Sequence, residues 1–196
     1  MNSSLPYTPN IQSFDNIPID PDDWSLALAI GVEVDVRILQ IWKRFYNLNW
    51  LQDFGNQCFL ISALTRRILR LHGIPAYTCE MITHYSNDKK QWYQRVGSEE
   101  EMVHGGTIDT HRVVVSNGLI LDWAHRDSVH RQFGAMSPRG FIGDFSQIGM
   151  TQDLGFFGKV KWEHRQPHRI SKNIAYFQKE DEIALTRFYF ENYAME

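Results

Sequence analysis

The sequence predicts one α+β domain in which helices of the N-terminal half pack on an antiparallel sheet built from about 75–85, 109–116 and 119–124. Three observations carry this. Apolar residues recur at helical spacing from Cys58, a β-branched and aromatic run follows Pro75, and Asn117-Gly118 sits between two apolar strands. The Asn-Gly pair is the preferred centre of a two-residue type I′ hairpin turn.

In chain order, residues 1–22 form an irregular lead punctuated by Pro6, Pro9, Pro18 and Pro21, and residues 23–196 form the domain. Asp22 and Asp23 are expected to cap a short helix through Trp24, Leu26, Leu28 and Ile30, stopped by Gly31. A second helix follows from about Asp35, with Val36, Leu39, Trp42, Lys43 and Tyr46 on one face. The third runs from Cys58 to His72 on Leu60, Ile61, Leu64, Ile68 and Leu71. Gly73 suits a left-handed C-terminal cap and Pro75 blocks continuation. Pro75 to Tyr85 reads as a strand, and Ser86 to Gly106 as a polar loop holding a short strand around Trp92. His111 to Ser116 and Leu119 to Ala124 are the hairpin arms. Residues 134–170, rich in glycine, read as loops with a strand near Val160, and Glu180 to Tyr193 closes the chain as a helix.

Composition narrows the partners. With 196 residues, 43% apolar and 22% charged, the chain can bury a core. A net charge of -3 without a basic run points away from nucleic acid and anionic membranes. No stretch has the length of a membrane span, and the start lacks the basic and apolar regions of a secretory signal. Two cysteines make no disulfide framework and are too few for a structural zinc site without several histidines. The setting these features imply is reducing and cytoplasmic, which is also compatible with delivery into another cell without a signal peptide.

Cys58 follows the turn-forming Gly55-Asn56-Gln57 and opens the third helix. Unpaired N–H groups and the positive helix end there favour thiolate over thiol and can hold an oxyanion. Buried structural cysteine is the competing reading. The hairpin register bears on the choice. With Asn117-Gly118 as turn residues, Ser116 pairs with Leu119 and Val113 with Asp122, so Asp122 lies diagonal to His111 on one face. Diagonal neighbours have Cα atoms about 7–8 Å apart, within reach of a His–carboxylate hydrogen bond. A slip of one residue would separate the pair. Asp122 also interrupts Leu119-Ile120-Leu121 before Trp123, where a carboxylate needs a partner. The candidate catalytic set is therefore Cys58 as nucleophile, His111 as base and Asp122 as the group that orients it.

Other candidates rank lower. Cys79 falls mid-strand, where no helix end lowers its pKa, and core packing is expected. His104, before Gly105-Gly106, is a second possible base without a carboxylate at a predictable register. His125, Asp127 and His130, and likewise Glu163, His164 and His168, lack metal-binding spacing, so no metal and no cofactor is expected.

Taken together, Gly55-Asn56-Gln57-Cys58-Phe59, Leu71-His72-Gly73-Ile74-Pro75-Ala76, Thr110-His111-Arg112-Val113-Val114-Val115 and Leu121-Asp122-Trp123-Ala124 resemble the transglutaminase-like superfamily. The resemblance covers about 50–125 and implies a papain-like core. It also implies acyl transfer through a thioester, with a protein or peptide amide as substrate. Members of that superfamily cross-link or deamidate glutamine, cleave peptides, remove glycans from asparagine or acetylate amines. By this resemblance Cys58 attacks the amide carbonyl, His111 takes and returns a proton, and Asp122 fixes the imidazole tautomer. Phe59 stands where that family often has tryptophan. Gln52, Gln57 and Trp50 compete as second oxyanion donor, and nothing after residue 125 specifies a substrate. The alternative is a non-catalytic binding module on a degenerate papain-like scaffold, against which an intact Cys–His–Asp set argues.

Overall fold

The computed structural model describes residues 11–12, 26–47, 58–88, 92–97, 103–104, 107–108, 111–124, 138, 140–165 and 179–192. Helices α1 (Val36–Asn47) and α2 (Cys58–Leu71) carry the expected apolar stripes. The α2 exit is built on Gly73 at φ 72. Gly73 N–H donates to Arg70 and Ile74 N–H to Leu69, at 3.0 and 2.9 Å, which satisfies the last carbonyls.

An eight-stranded mixed sheet faces these helices. Its strands are β2 (Leu26–Leu28), β4 (Tyr77–Asn87), β5 (Trp92–Val96), β8 (Arg112–Ser116), β9 (Leu119–Asp122), β10 (Gly140–Asp144), β11 (Thr151–Asp153) and β12 (Lys159–His164). The path is β11-β12-β4-β8-β9-β10-β2, with β5 on the second half of β4. All pairings are antiparallel except β10 with β2. Short strands β1 (Ile11–Gln12) and β3 (Val34–Asp35) pair with each other, as do β6 (Val103–His104) and β7 (Thr107–Ile108). The class is α+β, as the sequence predicts.

The sheet curls until its ends meet. Ile30 N–H, just past β2, donates to the carbonyl of Asp153 on β11 at 2.9 Å. Gln152 of β11 also exchanges two 2.8 Å hydrogen bonds with the backbone of Asp144 on β10. Side chains therefore divide between two cores, because successive strand residues point to opposite faces. Val114, Leu119, Leu121 and Ile142 pack on Ile38, Trp42, Leu64 and Ile68 of the helices. Met81, Tyr85, Val113, Ile120, Phe141 and Trp162 fill the inside of the curl. Helix α3 (Lys179–Asn192) adds Tyr189 to the helical side, while Ile183 and Phe188 face outward.

Three expectations are corrected. Residues 26–28 form a strand instead of a helix. Ala27 enters the inner core while Leu26 and Leu28 pack toward the helices, so the period is two, and β10 supplies the pairing edge. The lead read as irregular contains β1. Among its described residues, the glycine-rich 134–170 holds three strands, β10, β11 and β12, where one was expected. Gly140 and Gly143 interrupt the sequence pattern because tryptophans occupy the space of their missing side chains. An added Cβ would lie 2.8 Å from Trp42 Cη2 at Gly140 and 2.6 Å from Trp162 Cη2 at Gly143. Glycine here marks close packing within a strand.

Candidate active site

The hairpin has the predicted register: Ser116 pairs with Leu119, Val115 with Ile120 and Val114 with Leu121. Asn117 and Gly118 take φ 50 and 78, the left-handed pair that a type I′ turn needs. His111, immediately before β8, and Asp122, at the end of β9, are accordingly on one face. The imidazole Nε2–H donates to Asp122 Oδ1 at 2.8 Å. Both side chains are inside the protein, at 2% and 0% exposure. His111 is further held through its carbonyl, which accepts from Met81 N–H at 3.0 Å.

Cys58 is the first residue of α2 and is buried. Its side chain hydrogen-bonds that of His111. With Nε2 committed to Asp122, Nδ1 is the nitrogen left to the sulfur. The three residues singled out in the sequence thus form one buried chain, thiol to imidazole to carboxylate. Burial alone would pull the His111 pKa down. The charge and hydrogen bond of Asp122, followed by those of Cys58, outweigh it and push His111 up to about 10. A ring in this position is a cation at neutral pH.

Several supporting residues have no signal in the sequence. Asp122 Oδ2 accepts from Trp162 Nε1–H at 2.9 Å and from the Thr83 hydroxyl at 3.3 Å. Arg112 lies with its guanidinium carbon 4.0 Å from the centre of the Phe59 ring and donates to the buried Glu80 carboxylate at 3.0 Å. Gly97, at φ 86, closes against the same region: an added Cβ would be 2.7 Å from the Met81 carbonyl oxygen and 3.4 Å from His111 Cβ. Of these, the glycine at 97 is the one that a turn signal in the sequence could have found.

The remaining candidates stand apart. Cys79 is half-buried on β4, with its sulfur 3.4 Å from His164 Nδ1. Burial first, then Glu80, raise its pKa against a smaller opposing effect of Arg112, the reverse of nucleophile activation. Glu163 is engaged by Lys161 and by His84. Among the described residues no group of three or more His, Cys, Asp or Glu is arranged to hold a metal. His104 lies on β6, paired with β7. Trp50, Gln52, Gln57, His125, Asp127, His130 and His168 lie outside the described residues. Among the described residues no helix is long and apolar enough to cross a membrane.

No protein-family model matches the chain, and no curated protein matches it. Among solved structures, it is similar to one described as "The crystal structure of genomics APC5867". The TM-score is 0.54 at 16% sequence identity, over 78% of this chain and 76% of that one. At that identity the likeness is one of fold.

Proposed function

We propose that the protein is a cysteine-dependent acyl-transfer enzyme or amide hydrolase with a transglutaminase-like, papain-like core. The observation that carries this reading is the buried chain of Cys58, His111 and Asp122, in which a thiol at a helix start meets an imidazole whose far nitrogen is 2.8 Å from a carboxylate. Nucleophile, base and orienting group in hydrogen-bond contact are what covalent catalysis on an amide requires.

In the proposed reaction the proton of Cys58 already rests on Nδ1 of the His111 cation, and the sulfur attacks the substrate's amide carbonyl as the thiolate. Backbone N–H groups at the start of α2 face the developing oxyanion. On collapse the C–N bond breaks, the amine leaves with the proton from His111, and a thioester remains on Cys58. Water or an amine then attacks the thioester, with His111 taking its proton and returning it to the departing sulfur. Asp122 keeps Nε2 protonated throughout and offsets the imidazolium charge. The substrate class is a protein or peptide amide, glutamine side chains included, with no cofactor.

The test is to trap the acyl-enzyme. The wild type is incubated with lysate and quenched in acid, and Cys58 is read by peptide mass spectrometry. An acyl adduct on Cys58, absent from Cys58→Ser, supports the reading. Absence of any adduct together with slow iodoacetamide labelling of Cys58 at neutral pH would favour a binding module on the same scaffold.

A further inference from the structure

Asp122 has a second oxygen, and what holds it is unusual in its origin. Trp162 on β12 and Thr83 on β4 are directly paired across the ladder, and both donate to Asp122 Oδ2. Asp122 is on β9, three places from β12 along the sheet path. At strand spacings of about 4.8 Å a flat sheet would separate them by about 14 Å. The curl removes that gap, so the contact exists only because the sheet closes.

We propose that Trp162 is a positioning residue of the site: its indole N–H holds Asp122 Oδ2, so that Oδ1 is the oxygen presented to His111. The proposal rests on the reading of Cys58, His111 and Asp122 as an acyl-transfer site and adds the residue that orients the orienting group. Thr83 is the weaker second donor. Both hydrogen bonds are made to an ionised acceptor, which strengthens them and favours the carboxylate form. A carboxylate held by one oxygen alone would turn about its Cβ–Cγ bond, and its hold on Nε2–H would be intermittent.

Gly143 belongs to the same device. A Cβ there would overlap the Trp162 ring at Cζ3, lie 2.6 Å from Cη2 and lie 2.9 Å from Gln152 Oε1. Trp162 is wholly buried, so the ring has no free direction in which to yield. A side chain at 143 would displace the indole that holds Asp122 while leaving its N–H and the carboxylate chemically intact, and it would crowd Gln152 as well.

The experiment uses the full chain and reads the hydrogen bonds themselves by NMR, alongside the rate of Cys58 alkylation. Trp162→Phe keeps an aromatic ring and removes the donor. Expected are a folded protein, an His111 Nε2–H resonance broadened by faster exchange, and a fall in Cys58 alkylation of roughly 10- to 100-fold. That range is taken by analogy with partners that orient metal-binding histidines and carboxylates, whose loss costs about 10- to 100-fold. Gly143→Ala should reproduce both changes with Trp162 present, and Thr83→Val should give smaller ones in the same direction. If Trp162→Phe unfolds, a measurement that keeps Trp162 remains: its indole N–H resonance must move upfield in Asp122→Asn, where the charged acceptor is gone. An indole signal indifferent to Asp122→Asn overturns the proposal. So does a Trp162→Phe protein whose His111 resonance and Cys58 rate match the wild type, since Trp162 would then be packing alone. The NMR readings do not need Cys58 to react, so an inert Cys58 would sink the acyl-transfer reading without deciding this one.

Discussion

The guanidinium of Arg112, the residue after His111, lies over the ring of Phe59, the residue after Cys58, at 4.0 Å. The helix start that carries the thiol and the strand that carries the imidazole are thus joined one residue away from the pair itself. Glu80, with its side chain 2% exposed, anchors the same guanidinium at 3.0 Å.

Arg112→Met is therefore expected to destabilise the protein by about 3–5 kcal/mol, because it takes the cation away from a buried carboxylate. Loss of the contact with the Phe59 ring adds to this on the order of 1 kcal/mol. Adding Glu80→Met should restore part of the loss, since the buried charge then goes too. Urea unfolding of the two single variants and the double variant measures it. A double variant as unstable as the sum of the singles would show that the two side chains act independently.

Asp122→Asn should reduce turnover on a trapped substrate by a factor on the order of 10⁴, the loss known for serine-protease triads. The geometry supplies the reason. Trp162 N–H and the Thr83 hydroxyl point at one side of residue 122, so the amide carbonyl turns to them and the NH₂ turns to His111. An NH₂ donating to Nε2 forces the proton onto Nδ1, which then cannot accept one from Cys58. Thermal unfolding should show the variant folded. Unchanged turnover in a folded variant would remove Asp122 from the mechanism.

His111 sets the alkaline side of the pH profile. Its pKa is raised from 6.5 to about 10, against the opposing effect of burial, by Asp122 and then Cys58. The group therefore contributes stability that is full below about pH 6.5 and lost as the pH climbs through about 10. Urea unfolding across that window should show the decline in the wild type and a weaker one in Asp122→Asn. NMR titration of the ring should place its midpoint far above the free value in the wild type and lower in the variant. A wild-type ring titrating near 6.5 would contradict the buried ion pair.

Gly97→Ala should lower stability on the order of 1–2 kcal/mol from the left-handed backbone alone. It should also displace His111, because the new Cβ meets a backbone carbonyl at 2.7 Å that no side-chain rotation can clear. Calorimetry and the His111 Nε2–H resonance check the two parts separately. An alanine variant with wild-type stability and an undisturbed ring would show that the chain around 97 relaxes freely.

What the sequence determined by itself was local or rested on short pairings. Helix α2 was legible because its stripe, glycine exit and proline stop all lie within 20 or so residues. The contact of His111 with Asp122 was legible because a two-residue turn leaves one register, and a register assigns faces. Residues 26–28 were misread because four alternating apolar residues suit a helix or a strand, and the deciding partner, β10, is more than a hundred residues away. The strands β10 to β12 were hidden by glycines whose reason is a tryptophan elsewhere in the fold. Only the tertiary structure brought Cys58 to the imidazole, laid Arg112 over Phe59, and carried Trp162 and Thr83 to Asp122. Those contacts depend on how far a sheet curls, and curl is a property of all its strands packed together, which no short stretch of sequence encodes.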